Sequence, residues 1–238
     1  MEYREVMRIL KTLGSPENVA GMVRFGIVVR NAYGVSAPAL KKLAKQIGRN
    51  HALAQQLWRS GNHDARCLAG LIDYPAAVDE RQMENWAKDF DSWAVVDGTC
   101  NNLFRKTAIA HQKAAEWAKR EQEFVKRAGF SLMACLAVHD KDAADAQFLR
   151  YLALIKREAR DERNFVKKAV SWALRQIGKR NLRLRRQAIK TATEIHALDS
   201  AAARWIASNA LRELKSEKVQ LRLRRAASLR RPSLASSR

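Results

Sequence analysis

The segment Phe124-Val125-Lys126-Arg127-Ala128 returns 41 positions later as Phe165-Val166-Lys167-Lys168-Ala169, and Ser171 to Ile177 returns 37 positions on as Ser208 to Leu214. The letters match only loosely, but a period near 40 is long enough for two antiparallel helices and their turns. A helical pair of that length buries its apolar face only by stacking on its neighbours, so the period points to a solenoid. Composition agrees with helices. Gly (10) and Pro (4) are scarce, and Ala, Leu, Arg and Lys fill long stretches without the alternating β-branched runs that strands require.

The expected fold is therefore all-α: a curved, right-handed solenoid of antiparallel HEAT-like helical repeats whose concave side forms a basic groove. Turn signals divide the chain at Gly14-Ser15-Pro16, Gly34 with Pro38, Ser60-Gly61-Asn62, Tyr74-Pro75 and Arg160-Asp161-Glu162. Between them the pattern predicts helices over 3–13, 18–30, 37–47, 51–59, 63–73, 79–89, 92–108, 112–120, 123–138, 144–157, 162–178, 183–195, 200–214 and 216–226. One repeat domain should span 1–226. The Ser- and Arg-rich stretch 227–238 has too few apolar positions to join a core and reads as a disordered basic tail.

Charge narrows the partner. Lys and Arg total 45 against 24 acids, a formal +21. Residues 151–238 hold 23 basic and 7 acidic side chains, so the C-terminal third supplies most of the attraction for a polyanion. Cys67, Cys100 and Cys135 form no C-x-x-C, and no His stands at ligand spacing, so three buried, reduced thiols are expected and no metal site or cofactor. The longest purely apolar run, Leu132 to Val138, is far too short to span a membrane. A cytosolic or nucleoid-associated monomer is the expectation.

Against this basic background Trp93 and Asp97 stand four residues apart, on one face of a helix. A carboxylate inside a phosphate-binding surface opposes binding, so it needs another reason to be there; stabilising a cation formed during a reaction is one. Basic residues recur on the second helices of the pairs: Arg127, then Lys167, Lys168 and Arg175, then Arg183, Arg185 and Arg186, then Arg212. Equivalent positions of a solenoid line up, so such a row can follow a phosphate backbone. Trp172 lies among them, 79 positions after Trp93. Taken singly, each Lys also fits a solvated face, each Trp a core position, and Asp97 a helix cap or ion-pair partner. Trp58, Trp86, Trp117 and Trp205 are assigned to packing.

The segment Asp91 to Asp97 resembles the Ser-Trp-x-x-x-Asp motif of the AlkD-type DNA alkylation repair proteins, which are HEAT-like repeat DNA glycosylases. Further segments match in the family's order: Met22-Val23-Arg24-Phe25, Tyr33-Gly34-Val35 with Pro38 and Lys41-Lys42-Leu43, Lys126-Arg127-Ala128, Phe165 to Arg175, and Arg186 to Lys190. Together they span roughly residues 20–195. The resemblance implies that Trp93 and Trp172 contact the deoxyribose of the lesion. Asp97 would stabilise the cationic sugar and position water, and Arg127 would face the DNA backbone, with Arg175 and Arg186 on the same surface. Phe25 stands where a Tyr is expected, which removes a hydroxyl from that DNA contact.

These residue types suit the implied chemistry. A purine alkylated at N3 or N7 is already cationic and leaves without protonation, so the difficulty moves to the oxocarbenium-like sugar. One carboxylate at about 4 Å and an effective dielectric near 20 is worth roughly 4 kcal/mol to that cation, or about a thousandfold in rate. Indole faces add roughly 0.5–2 kcal/mol each. No Lys adjoins Trp93 and Asp97, so a monofunctional glycosylase acting on double-stranded DNA with alkylated purines is expected, without a Schiff-base step. Two rival readings use the same charge and fold: a non-catalytic module that binds branched or distorted DNA, or structured RNA, by shape and charge, and a protein-binding scaffold.

Overall fold

Small polar residues set where most of the helices begin. In the computed structural model, which describes residues 1–27 and 29–228, the side chains of Ser15, Ser36, Asn50, Asn62, Asp79, Ser92, Asn181 and Ser200 each accept a hydrogen bond from a backbone N–H in the first turn that follows. Each satisfies a donor the helix leaves orphaned. Among the described residues there is no strand.

The chain divides into two compact units, Met1–Lys113 and Ala114 onward. The first holds α1 (Tyr3–Thr12), α2 (Pro16–Arg24), α3 (Ala37–Ile47), α4 (His51–Arg59), α5 (His63–Ile72), α6 (Glu80–Lys88) and α7 (Trp93–Asn102), with 3-10 turns at Pro75–Ala77 and Phe104–Lys106; α8 (Ala110–Trp117) crosses the boundary. The second holds α9 (Glu123–His139), α10 (Asp145–Arg157), α11 (Asn164–Gly178), α12 (Leu182–His196), α13 (Ala201–Leu214) and α14 (Glu217–Ser228).

Both units have the layering of HEAT-like repeats, in which every second helix packs side by side. In the first unit α5 lies between α3 and α7; in the second α11 lies between α9 and α13, while α10 packs on α12. The repeated phenylalanines, Phe124 and Phe165, meet with ring centroids 5.6 Å apart, so one residue position stacks on its own next copy. Trp58 and Trp86 stack at 3.9 Å in the core of the first unit, and Trp117 is fully buried in the second.

Two helices stop well short of the expected ends. α2 ends at Arg24 rather than at 30, because Gly26 turns left-handed (φ 70°). There Ile27 N–H donates to the Met22 carbonyl and Gly26 N–H to that of Val23, the pairing of a Schellman cap. α7 ends at Asn102 rather than at 108, where Leu103 leaves helical geometry and a 3-10 turn follows. Conversely, α14 continues to Ser228, so Ala227 and Ser228 are helical where a disordered tail was expected; the rest of that tail, 229–238, lies outside the described residues.

A buried ion cluster ties α9 to the turn before α11. Lys126 Nζ donates to Glu158 at 2.9 Å and to Asp161 at 3.2 Å. Burial alone would raise both carboxyl groups, but hydrogen bonds from Lys126 and Arg157 to Glu158, and from Arg163 and Lys126 to Asp161, hold both below the usual range. Groups depressed in the folded state contribute stability above their unfolded values, and that contribution begins to fade below about pH 4 and is lost as pH falls through the lowered folded values. Lys126→Met is therefore expected to destabilise the protein more at pH 7 than at about pH 3.5; urea unfolding at the two values checks this, and an equal loss at both would contradict it.

Candidate functional site

The start of α7 is built to display two side chains. Ser92 is buried and its Oγ accepts from Ala94 N–H, which makes it the N-cap and puts Trp93 in the first helical position. Val95, Val96, Thr99 and Cys100 face the core. Helical periodicity then leaves Trp93, Ala94, Asp97 and Gly98 half-buried on the opposite face, with the indole and the carboxylate one turn apart.

Trp93 is fixed from a distant part of the sequence. Its indole Nε1–H donates to the Phe25 carbonyl at 2.9 Å, and the Schellman turn at the end of α2 is what presents that carbonyl. Phe25 thus enters the site through its backbone, while its ring stands 71% exposed beside it. The missing hydroxyl leaves this contact untouched.

Small residues next to Trp93 and Asp97 leave space. Ala94 and Gly98 form part of the wall of a cavity of about 320 Å³, together with Met22, Ile27, Leu40 and Leu71. A Cβ added at Gly98 would meet nothing within 4 Å, so no packing contact requires glycine in this helix. Cys67 also faces the cavity; it is half-buried rather than buried as expected, and burial, with Asp64 and Asp91 nearby, pushes its thiol up to about 12. It is inert as a nucleophile at neutral pH.

One residue with no signal in the sequence organises this unit. The buried Asp64 carboxylate accepts from the backbone N–H groups of Tyr33 (2.6 Å), Gly34 (3.2 Å) and Val35 (2.8 Å), pinning the loop that leads into α3. Gly34 adopts φ 79°, and a Cβ there would collide with the Ser15 carbonyl and Val19. Asp64 sits in the first turn of α5, where an acid also suits the helix N-terminus, so the sequence offers no hint of its long-range partners.

In the second unit, Lys168, Trp172 and Arg175 fall on one stripe of α11 at four- and three-residue spacing, while Val166, Ala169, Val170 and Ala173 face the core. Lys168 is exposed and Trp172 half-buried. Arg175 pairs with Glu213 at 2.7 Å, and Lys179 joins the same carboxylate at 2.5 Å. Burial opposes the charge on Glu213, but the hydrogen bonds from Lys179 and Arg175 prevail and hold its carboxyl low. Two cations sharing one anion leave a positive surplus. Arg186 is exposed on α12.

Two expectations need correction here. Trp205 is 40% exposed rather than packed away, and Lys167 Nζ lies 5.8 Å from its ring centroid. Arg127 is only 6% exposed, and its guanidinium donates to the Phe165 carbonyl at 2.6 Å. The following repeat covers it, so Arg127 joins α9 to α11 instead of standing free on the surface. Its counterpart one repeat later, Lys168, is exposed.

A family model described as DNA alkylation repair enzyme matches residues 6–214. The chain belongs to the DNA alkylation repair enzyme family. Within that family's span lie α7, with Trp93 and Asp97, and the α11 stripe. Among solved structures, the chain is similar to a member of a new family of proteins related to the HEAT-like repeat DNA glycosylases with affinity for branched DNA structures. The TM-score is 0.76 at 23% identity, over 89% of this chain and 95% of that one. A curated relative, the uncharacterized protein Lin0241 of Listeria innocua serovar 6a, is 24% identical over 135 residues, or 56% of this chain. The match spans 55% of that relative's length. Among the described residues, no helix of this DNA alkylation repair family member is long and apolar enough to cross a membrane.

Proposed function

We propose that the protein is a monofunctional DNA glycosylase that excises cationic N3- and N7-alkylated purines from double-stranded DNA. The observation that carries this reading is the face of α7, where a half-buried carboxylate, Asp97, stands one turn from an indole held by the Phe25 carbonyl. In the reaction, the C1′–N bond breaks and its electron pair neutralises the departing purine. Deoxyribose takes on oxocarbenium character, which Asp97 stabilises through space while the face of Trp93 adds cation–π attraction. Water adds to C1′, its proton passes to Asp97 or solvent, and an abasic site remains. Lys168, Trp172, Arg175 and Arg186 meet the DNA from the second unit, with Lys167 steadied by Trp205. The protein acts as a monomer in the cytosol or nucleoid.

Nothing at α7 is proposed to protonate a leaving group, so selectivity rests on the lability of the lesion. Duplexes carrying N7-methylguanine should release the base, uracil-containing duplexes should release none, and borohydride should trap no protein–DNA adduct. Uracil release or a trapped adduct would contradict the mechanism.

A second reading follows from the similarity to the protein with affinity for branched DNA: a module that binds junctions by shape and charge and cleaves nothing. It predicts tighter binding to a four-way junction than to a duplex and no base release from either.

A further inference from the structure

Beyond α11 the second unit carries another basic surface. Two adjoining hollows, of about 390 and 340 Å³, run along α14 and share Asp145, Arg180, Asn181, Leu223 and Ala226 in their walls. Lys141, Lys179, Arg183 and Arg222 complete the cationic lining. The lining carboxylate, Asp145, already accepts from Asn181 Nδ2 at 2.8 Å.

The cations here are held in place. Arg180 donates to the carbonyls of Ala137, Lys141 and Ala143 and lies over the Phe148 ring at 4.3 Å. Arg222 donates to the Lys179 carbonyl at 3.0 Å. The bond to a carbonyl orients the Arg222 guanidinium without neutralising it. α14 itself docks through Val219 and Leu223, leaving Arg222, Arg224 and Arg225 exposed. No ion pair involves these three among the described residues.

This surface differs from the α11 stripe in place, and its α14 part lies beyond the family match. Lys168 and Lys179 are ~17 Å apart along the helix axis, so the hollows open at the opposite end of α11 from its exposed first turn, next to the Glu213 carboxylate that Lys179 shares with Arg175. The family match ends at residue 214, and residues 215–238 hold eight Lys or Arg against one Glu, a third of the net charge in a tenth of the chain.

We infer that α14 and the turn between α11 and α12 form a second binding surface for a nucleic-acid backbone, at the other end of α11 from Lys168. Phosphates fit the observations: the hollows are open, the Arg222 guanidinium is preset, and α14, which adds Arg222, Arg224 and Arg225, lies outside the part of the chain matched to the family. The inference rests on nucleic acid being the partner but not on catalysis.

The test is the salt dependence of binding to an undamaged duplex, by fluorescence anisotropy, for the full chain and for Arg222→Gln/Arg224→Gln/Arg225→Gln. Every phosphate no longer neutralised lowers the slope of log K against log salt by about 0.9, so the triple variant should fall by about 2–3 in slope and about ten- to a hundredfold in affinity at 0.1 M salt. The corresponding Arg→Lys variant should keep the slope, which separates charge from folding. An unchanged slope in the Gln variant, or the same fall in the Lys variant, would overturn the inference. So would loss of binding to phosphatidylserine vesicles with the DNA slope intact. Base release by the wild type with an unchanged slope would remove this surface and leave the glycosylase reading; a reduced slope without base release would do the reverse.

Discussion

Asp97→Asn is expected to lower single-turnover excision by about 10²–10³ while DNA affinity holds or rises slightly. The amide keeps the size of the side chain and its place on α7, so the helix and the Trp93–Phe25 bond are preserved. It loses the full negative charge that stabilises the sugar as it becomes cationic. Through-space attraction at about 4 Å and an effective dielectric near 20 sets an upper bound of roughly 4 kcal/mol, and partial solvation of a half-buried group brings the expected loss to about 2.7–4 kcal/mol. Removing an anion from a surface that meets phosphates cannot weaken binding through charge. Rate and affinity should therefore separate, and anisotropy beside single-turnover kinetics reads both. Parallel loss of the two would indicate a structural role for Asp97.

Asp64→Ala is expected to cost about 3–5 kcal/mol of unfolding free energy, measured in urea. The carboxylate accepts from three successive backbone N–H groups at 2.6–3.2 Å. Truncation strands three donors, those of Gly34 and Val35 buried and that of Tyr33 half-buried, and an unsatisfied buried donor costs about 1–3 kcal/mol. Domains are commonly stable by only about 5–15 kcal/mol, so the loss is large. Asp64→Asn keeps one oxygen as acceptor and should cost less than the alanine variant. Equal stability of wild type and Asp64→Ala would mean that the Tyr33–Val35 loop is held by other contacts.

What the sequence disclosed is local and periodic. The helices α3 and α4 fall at the expected positions, because a Ser or Asn cap opens each and Gly48 and Gly61 mark where they stop. The repeat of Phe124 at Phe165 told of helices that stack, and the two rings touch. The Ser-Trp-x-x-x-Asp pattern is legible because it is also a helix start: cap, first residue, and a residue one turn on. Gly26 lies inside the helix expected over 18–30, because the apolar residues after it continue a helical pattern, and periodicity does not report the left-handed turn there that holds Trp93.

Other differences arise from partners far away in the chain. Arg127 and Lys168 are equivalent letters of one repeat, yet the next repeat covers the first and leaves the second exposed. Trp205 reads like Trp117, but only packing tells a buried indole from one that meets Lys167 at the surface. Asp64 has the spacing of an ordinary first-turn acid, and its three donors lie about thirty residues earlier. Periodicity reports which face a residue is on and says nothing of what covers that face.

The most direct measurement is release of N7-methylguanine from a methylated duplex by the wild-type protein in excess, followed over time against spontaneous depurination. Release well above the spontaneous rate, with an abasic strand left uncut, is the predicted result. Tight duplex or junction binding with release no faster than the protein-free control would contradict the glycosylase assignment.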